Sequence, residues 1–181
     1  MMTFEERTLQ KEEIYSGRII TVEKHDVELP NGHRTTREIV KHPGAVAVLA
    51  VHEGKVLLIK QFRQAMEEVL IEVPAGKVEQ GETRDYTALR ELEEETGYTT
   101  DDITHLYDFY VSPGFCDELI SLYYTDQLIP SDELTADDDE FVEKMWVPVD
   151  KVKQLLQSNQ VRDAKTMLAL QYLLLNCNHS N

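Results

Sequence analysis

The residue types best suited to chemistry are three glutamates that lie close together between residues 91 and 95. On an α-helix, at about 100° per residue, Glu91, Glu94 and Glu95 share one arc as i, i+3 and i+4 neighbours. We expect no basic residue to face this triad from four residues away, and Arg90 to compensate only part of its charge. The ordinary interpretation is a solvated acidic face. A coherent arc that directly follows a glycine-containing loop instead favours a site for Mg²⁺, which prefers oxygen ligands.

A helix over residues 83–96 must carry these glutamates. Thr83 is typical of a helix N-cap, and Gly97 is typical of the residue that follows a helix C-terminus. An apolar face adjoins the acidic arc and is expected to pack on a sheet; its members are Ala88, Leu89 and Leu92. Glu93 is predicted to point away from the triad.

Strand patterns surround this helix and predict an α+β fold. Residues 45–51 and 55–59 are near-continuous apolar runs, typical of a central hairpin buried on both faces. Residues 14–41 predict short antiparallel strands around an Asn31-Gly32 turn. Further strands are predicted at 69–73, ended by Pro74-Ala75-Gly76, and at 106–111, 119–124 and 142–147, with helices at 150–158 and 163–176 capped by Asp150 and Asp163. The residue patterns therefore predict a mixed α+β chain whose N-terminal part is rich in strands.

Charge and composition exclude several classes of protein. Lys and Arg number 18 against 34 Asp and Glu, giving a net charge of −16. A field of that sign repels phosphate backbones and anionic membranes, so we expect neither a nucleic-acid partner nor a membrane partner. No signal peptide or membrane-spanning segment is visible, and the two cysteines lack a CxxC spacing, which predicts reduced thiols in a cytoplasmic protein.

The region 76–98 as a whole resembles a known family. Gly76 is followed after five residues by Glu82, after seven more by Arg90-Glu91-Leu92, and then by Glu94-Glu95 and Gly97-Tyr98, each one residue further on. This spacing matches the complete Nudix box at every fixed position, so the chain is identified as a member of the Nudix hydrolase superfamily. The resemblance implies an α/β/α sandwich, which is a mixed β-sheet between helices, with an N-terminal antiparallel strand unit. The implied reaction of the family is cleavage of a nucleoside diphosphate linked to another moiety. Glu82 and Arg90 match a pair that is largely structural.

The resemblance also implies a metal site. Glu91, Glu94 and Glu95 match the family's metal ligands, and the Ala75 carbonyl matches a frequent additional ligand. Gly76 matches the turn before the helix. The implied cofactor is Mg²⁺, with Mn²⁺ as the other possibility.

Segments outside the box resemble the ADP-ribose pyrophosphatase branch of this superfamily. Pro113, sixteen residues after Gly97, is the usual marker of the branch, and the segments 37–46, 61–63 and 72–76 are similar as well. The implied reaction is hydrolysis of the diphosphate of ADP-ribose to AMP and ribose 5-phosphate. The alternatives are a broader hydrolase of nucleoside diphosphate sugars such as GDP-mannose, and a non-catalytic ADP-ribose sensor.

The same resemblance suggests substrate contacts. Arg63 is predicted to grip a phosphate oxygen through paired N–H donors. Arg37 and Glu38 match positions at the adenine end, and Glu72 is predicted to hold a ribose hydroxyl. Pro113 is expected to shape a loop that borders the substrate. For Arg37, Glu38 and Arg63, ordinary surface roles stay open.

A catalytic base is expected in the acidic loop before the strand at 142–147. Relatives in the branch use a loop glutamate to orient or deprotonate the attacking water. Glu140 matches one such position, and Asp138 stands where relatives often have Glu, so the choice between them stays open. Glu143 is a weaker candidate. The predicted catalytic set is Glu140, Asp138 and Glu94.

Two domains are predicted. Residues 1–42 form a strand unit too poor in core residues to stand alone, and residues 43–181 form the Nudix hydrolase domain. The strand unit is expected to pack against a second subunit, as the exchanged N-terminal strands of relatives do. The expected assembly is a homodimer that acts on a small-molecule substrate.

Overall fold

The computed structural model describes residues 4–131, 133–134 and 141–177, except for the side chain of Cys177. The chain forms two compact units. The first ends at Gly44 and also takes in Tyr110–Leu119, and the second runs from Ala45 to Phe109 and resumes at Ile120. The predicted domain division after residue 42 stays a prediction.

The first unit is built on a three-stranded antiparallel sheet of order β1-β2-β3. Its strands are β1 (Arg7–Ser16), β2 (Thr21–Glu28) and β3 (Arg34–Lys41). Every residue of β1 is exposed, while Val27 of β2 is buried. The sequence predicted strands only from residue 14, because the charged residues before it show no apolar alternation. β1 forms nevertheless through its backbone ladder with β2.

The second unit contains the remaining elements. They are β4 (Ala45–His52), β5 (Lys55–Arg63), β6 (Glu68–Glu72), β7 (Ala75–Lys77), α1 (Arg84–Thr96), β8 (Tyr98–Thr99), β9 (Thr104–Tyr110), β10 (Leu119–Thr125), β11 (Ile129–Pro130), β12 (Val142–Pro148), α2 (Val149–Gln157) and α3 (Ala164–Cys177). The main sheet has the order β12-β5-β4-β10-β9, with β6 beside β5 and β7 beside β4. β4 runs parallel to β10 and antiparallel to β5 and β7, so the predicted mixed sheet is confirmed.

The core lies on both faces of β4. Val46 and Val48 belong to a buried cluster that includes Ala88 and Leu92 of α1. Successive strand residues point to opposite faces, so the fully buried Leu49 faces away from α1. α3 also contacts β4, and it covers this second face. The predicted packing of α1 on a sheet is therefore confirmed, and truncating Leu92 to Ala would cost about 2–5 kcal/mol.

The strand predicted at 69–73 does end before Pro74, but the sequence did not predict β7, which begins at Ala75 and pairs with β4. One local prediction was wrong. Asp150 was expected to cap α2, but it lies in the first turn behind Pro148, whose side chain makes no capping bond. None of the helices in the described ranges has the length and apolar character needed to cross a bilayer.

Candidate metal and catalytic site

α1 carries the acidic arc and both of its predicted ends are confirmed. The Thr83 side chain accepts a hydrogen bond from the Tyr86 N–H, and Gly97 adopts a left-handed conformation with φ of 66°. The last turn of α1 contains no basic residue. Lys144 of β12 supplies the positive charge instead, because its Nζ donates to the Thr96 carbonyl at 2.9 Å.

β7 meets the acidic face of α1 at Gly76. A Cβ atom added to Gly76 would lie 1.9 Å from Cδ of Glu91, so the carboxyl group occupies the space that any other side chain would need. The neighbouring Ala75 N–H donates to Oε2 of Glu95 at 2.9 Å. Glu91 and Glu95 are thus gathered against one short strand. Glycine is required at position 76 by this close approach.

Arg90 lies at the centre of the acidic group. Its Nη1 donates to Oε2 of Glu94 at 2.6 Å, its Nη2 lies 3.0 Å from Oε1 of Glu91, and its Nε donates to Glu82 at 3.0 Å. The side chain is 16% exposed. Burial lowers the pKa of Arg90, but the hydrogen bond that Arg90 donates to Glu82 and the charges of Glu91 and Glu94 outweigh it and raise the pKa above its usual range. The expectation that no cation faces the triad was wrong, because Arg90 itself stands four residues before Glu94.

Glu82 forms the predicted structural pair with Arg90. Its carboxylate also accepts hydrogen bonds from the Thr87 hydroxyl at 2.8 Å and from the Glu79 N–H at 3.3 Å. The hydrogen bond from Arg90, followed by that from Thr87, lowers the pKa of Glu82. The loop before α1 is therefore tied to the same guanidinium group as the glutamates of the triad.

The donor set suits a divalent cation. Within the described ranges, no three His, Cys, Asp or Glu side chains stand together as a ready metal-binding group. Arg90 engages Glu91 and Glu94, while the Ala75 N–H engages Glu95. Three carboxylates beside one short strand are nevertheless the oxygen donors that Mg²⁺ prefers. The Glu91 carboxylate against Gly76 shows how closely donor atoms approach this backbone. A divalent ion would compete with Arg90 for Glu91 and Glu94.

Arg63 and Glu72, both predicted to bind substrate, bind each other. The Nε and Nη2 atoms of Arg63 donate to the two oxygens of Glu72 at 2.7 and 2.8 Å. Lys165 of α3 also donates to Glu72, whose side chain is 1% exposed. Burial raises the pKa of Glu72, but the bonds from Arg63 and Lys165 outweigh it and lower the pKa to about 2. Contact with a ribose hydroxyl would require these ion pairs to rearrange.

The N-terminus of α3 extends this network. Asp163 accepts hydrogen bonds from the Thr166 N–H at 2.9 Å and from its hydroxyl at 2.5 Å, which confirms Asp163 as the helix cap. The Thr166 hydroxyl oxygen accepts from the Val73 N–H at 2.8 Å. Lys165 lies 3.1 Å from Asp163. Lys165 and Thr166 were not predicted from the sequence, since no local pattern connects them to residues about ninety positions earlier.

Three predicted substrate residues lie in the first unit. Arg37 of β3 donates from Nε and Nη2 to the two oxygens of Glu6, at 3.0 and 2.6 Å. Glu38 is exposed on the same strand, opposite Lys24. Pro113 lies in a tight turn in which the Cys116 N–H donates to the Ser112 carbonyl at 2.9 Å. The Val40 N–H holds this turn beside β3 by donating to the Phe115 carbonyl at 2.7 Å.

The candidate bases are only partly placed. Asp138 and Glu140 lie outside the described residues. Glu143 is exposed on β12 and accepts from Lys60 at 2.9 Å. Gln61 lies on β5, opposite Val142 at the start of β12. Its side-chain oxygen is buried and accepts no hydrogen bond in the described ranges, so it could accept one from a bound molecule.

Family models match almost the whole chain. The model described as "NUDIX domain" matches residues 40–170, and "Nucleoside diphosphate sugar hydrolase N-terminal domain" matches residues 6–40. The chain therefore belongs to the Nudix family, which confirms the prediction from the box at residues 76–98. Enzymes of this family generally depend on divalent metal ions.

Similar proteins extend over the same length. The chain is 52% identical to a Bacillus subtilis (strain 168) protein named "ADP-ribose pyrophosphatase" over 177 residues, covering 97% of this chain and 96% of the relative. It is 46% identical to a "Methanol dehydrogenase activator" of Bacillus methanolicus, covering 95% and 94%. A crystal structure of an "ADP compounds hydrolase" superposes with a TM-score of 0.85 at 24% identity, covering 97% and 95%, which confirms the fold.

Proposed function

We propose that this protein hydrolyses the diphosphate of ADP-ribose to AMP and ribose 5-phosphate, with a divalent metal ion as cofactor. The observation that carries the proposal is the 52% identity, over 97% of the chain, to a protein named ADP-ribose pyrophosphatase. The local support is the acidic arc of α1, which meets β7 where Gly76 leaves room for a carboxylate. The cytoplasmic location stays a prediction.

In this proposal Glu91, Glu94 and Glu95 hold Mg²⁺ together with the Ala75 carbonyl, and Mn²⁺ is the second candidate. The bound cation supplies charge neutralisation at the phosphoryl oxygens and acidifies the attacking water. Glu94 is also proposed as a catalytic residue, since its carboxylate reaches Arg90 at 2.6 Å and is the most exposed of the three. Arg90 holds Glu91 and Glu94 side by side and anchors them to Glu82.

The water proton is proposed to pass to Glu140 or Asp138, with Glu143 as the weaker candidate. One oxygen–phosphorus bond forms as the bridging bond of the diphosphate breaks. The phosphoryl group develops little covalent bonding to the protein, so positioning and charge carry most of the rate. The proton transfer is thus proposed for an acid of the segment 137–140.

Substrate contacts are proposed for Arg37, Glu38, Arg63, Glu72 and Pro113. Arg63 is 35% exposed and its pKa is raised by the hydrogen bond with Glu72, and further by the charges of Glu72 and Glu95, so it stays a cation beside the acidic site. Arg63 uses two of its nitrogen atoms, Nε and Nη2, to donate to Glu72. The guanidinium group has further N–H groups that can donate to a phosphate oxygen. Arg37 and Glu38 are proposed for the adenine end, and Pro113 for the border of the substrate.

A homodimer is proposed through the N-terminal sheet. All ten residues of β1 are exposed, and its outer edge has no neighbour in the described sheet. Leu9, Ile14 and Tyr15 on this strand expose apolar side chains. Native proteins usually cover such an edge. Light scattering at micromolar concentration is expected to give twice the chain mass, and a fully active monomer would contradict the dimer.

The function is tested by a panel of nucleoside diphosphate derivatives, with and without Mg²⁺, with the products identified. ADP-ribose is expected to give AMP and ribose 5-phosphate only with the metal present. Glu94→Gln is the matched control for contaminating activity, since it keeps the size of the side chain. If the metal-dependent enzyme cleaves another derivative of the panel and does not cleave ADP-ribose, the substrate assignment is wrong.

A second candidate is a broader hydrolase of nucleoside diphosphate sugars such as GDP-mannose. It is favoured by the match of residues 6–40 to the N-terminal domain of nucleoside diphosphate sugar hydrolases. The same panel separates the two, because a higher kcat/KM for GDP-mannose than for ADP-ribose would select the second. A non-catalytic sensor would bind ADP-ribose without releasing AMP.

A further inference from the structure

Thr166, in the first turn of α3, joins two parts of the chain that are far apart in the sequence. The residue is fully buried, and Asp163 accepts from its hydroxyl at 2.5 Å and from its N–H at 2.9 Å. A hydroxyl has one proton to donate and lone pairs with which to accept. Because Asp163 takes the proton, the hydroxyl oxygen is fixed as an acceptor, and the Val73 N–H donates to it at 2.8 Å.

Val73 lies in the two-residue connection between β6 and β7. Val73 and Pro74 belong to neither strand, and a proline has no backbone N–H. The connection therefore has one backbone N–H to place, that of Val73, which is fully buried. A buried N–H without a partner costs about as much as a lost hydrogen bond. The Thr166 hydroxyl receives this N–H and so fixes where the connection passes the first turn of α3.

Immediately after this connection, the backbone of β7 meets the acidic arc of α1. The Pro74 carbonyl accepts from the Val48 N–H of β4 at 2.8 Å, and the Ala75 N–H donates to Oε2 of Glu95 at 2.9 Å. Val73 and Ala75 are separated only by Pro74, whose ring fixes φ at about −65°. A displacement of Val73 is therefore passed on to the Ala75 amide.

Lys165, the neighbour of Thr166, reaches the same part of the chain but contacts a side chain. It donates to the carboxylate of Glu72, the residue before Val73, and lies 3.1 Å from Asp163. A carboxylate can adapt by rotating about its side-chain bonds, whereas a backbone N–H moves only with the chain that carries it. Thr166 is therefore the side chain through which α3 holds the backbone ahead of β7.

We propose that Thr166 is a positioning residue for the metal site: its hydroxyl fixes the Val73 N–H and thereby holds the amide and carbonyl groups of Ala75 in place beside Glu95. The inference rests on the proposed function, because that function assigns the Ala75 carbonyl and Glu95 to the metal. Groups that orient metal ligands from behind commonly contribute about 10- to 100-fold in metal affinity or activity. Thr166 acts through two intervening residues, so we expect an effect at the lower end of that range.

The test measures Mg²⁺ binding by Thr166→Val and Thr166→Ser in the full-length protein. Valine has the shape of threonine but cannot accept the hydrogen bond from the Val73 N–H, whereas serine keeps the hydroxyl. Calorimetric titration without substrate is expected to give a Kd for Mg²⁺ about 10-fold higher in Thr166→Val and within about twofold of the wild type in Thr166→Ser. With ADP-ribose, kcat of Thr166→Val is expected to fall at low Mg²⁺ and to recover toward the wild-type value as Mg²⁺ saturates.

Thr125→Val is the matched control, because it makes the same change at another buried threonine. The Thr125 hydroxyl accepts from the Gln127 N–H at 3.2 Å, and Thr125 pairs with Ala50, beyond the part of β4 that pairs with β7. This variant is expected to keep the wild-type Kd for Mg²⁺. A wild-type Kd in Thr166→Val would overturn the proposal, and so would a Thr166→Ser variant that binds as weakly, or a Thr125→Val variant whose Kd rises as far. If Thr166→Val does not fold, Thr166→Ala takes its place, since the smaller side chain leaves room for water at the Val73 N–H.

Hydrogen exchange in the metal-free protein separates this proposal from the proposed function. The Ala75 amide is expected to exchange faster in Thr166→Val than in the wild type, and not in Thr166→Ser, because its hydrogen bond to Glu95 is no longer held in place. If the wild type neither binds Mg²⁺ nor cleaves ADP-ribose, the proposed function fails, while exchange at Ala75 still decides whether Thr166 positions this strand. Unchanged exchange at Ala75 in Thr166→Val would overturn the positioning role itself.

Discussion

Two charged clusters of the second unit use the same residue types in opposite proportions. In one, the single carboxylate of Glu72 contacts two cations, Arg63 and Lys165. In the other, the single guanidinium of Arg90 contacts three carboxylates, those of Glu82, Glu91 and Glu94. Asp163 lies 3.1 Å from Lys165, so the first group has two acids and two cations and is called the balanced cluster. The second group, with the neighbouring Glu95, keeps a surplus of negative charge and is called the acid-rich cluster.

This difference distinguishes a charge-balanced network of ion pairs from a cluster whose surplus of negative charge favours the proposed binding of a cation. A buried carboxylate between two cations has its pKa lowered to about 2 and stays ionised at neutral pH, so it serves as a fixed strut between β6 and α3. Several carboxylates that share one arginine repel one another, and a divalent ion relieves that repulsion. The ratio of acidic to basic side chains in a cluster is therefore a better guide to cation binding than the number of glutamates.

The largest effect is expected from the acid-rich cluster. Glu94→Gln and Glu95→Gln should each lower kcat for ADP-ribose by at least about 10³-fold, because each removes a charge proposed to bind the metal. Both variants should unfold close to the wild-type temperature, because the loss of like-charge repulsion offsets the weakened bond from Arg90 or from the Ala75 N–H. Activity assays and thermal unfolding check the two halves of this prediction. Full activity in both variants would contradict the site assignment.

A substitution in the balanced cluster is expected to lower the free energy of unfolding. Glu72→Gln is expected to cost about 3 kcal/mol of unfolding free energy at pH 7, since the pKa of Glu72 falls from 4.5 to about 2 on folding. A lowered pKa contributes stability that is fully present above pH 4.5 and is lost as the pH falls toward 2. Urea unfolding at pH 7 and pH 3 should therefore show a flatter pH dependence in the variant. If Glu72→Gln and the wild type are equally stable at pH 7, Glu72 does not stabilise the contact of β6 with α3. A raised KM of Glu72→Gln for ADP-ribose would support the proposed contact with a ribose hydroxyl.

Gly76→Ala tests how closely β7 and the acid-rich cluster approach each other. Its Cβ would lie 1.9 Å from Cδ of Glu91, so the carboxylate must move, and kcat should fall by about 10²-fold. Gly54→Ala is the matched control, because Gly54 has a φ of 73° and open space around it. That variant should lose about 1 kcal/mol of stability and keep its kcat. Equal kcat values in the two variants would contradict the packing explanation.

The smallest effect is a shift in stability on adding Mg²⁺. At ten times its Kd the ion should stabilise the wild type by about 1.4 kcal/mol. Glu72→Gln should show the same gain, and Glu95→Gln should show much less. Thermal unfolding over a Mg²⁺ titration measures all three. An equal gain in Glu95→Gln would place the ion elsewhere.

Much of the fold and of the acid-rich cluster could be predicted from the sequence, because the signals are local. Thr83, Gly97 and the i, i+3, i+4 glutamates lie within one helix, and the apolar runs of β4 and β5 flank one turn. The contact of Arg90 with Glu94 could also have been predicted, because the two residues are i, i+4 neighbours on α1. Its contact with Glu82 could not, because Glu82 lies in the loop before the helix.

The balanced cluster could not be predicted in this form, because its members are far apart in the chain. Glu72 and Lys165 are separated by 93 positions, and only the placement of α3 against β6 brings them together. The sequence predicted substrate roles for Arg63 and Glu72 from the resemblance to a family branch, and that resemblance gives no information on their contact with each other or with Lys165. The first part of β1 was not predicted for a related reason. It is held by backbone hydrogen bonds to β2, which leave no pattern in the side chains.

The distance along the chain between Lys165 and Glu72 has a consequence for biosynthesis. While the first 160 residues emerge, the Arg63–Glu72 pair lacks its second cation, and Val73 lacks the Thr166 hydroxyl that receives its N–H. Closing a loop of that length costs entropy that only the finished helix repays. A nascent or truncated chain without α3 should therefore form α1 and its glutamates before the contacts of Glu72 and Val73, just ahead of Gly76, are complete.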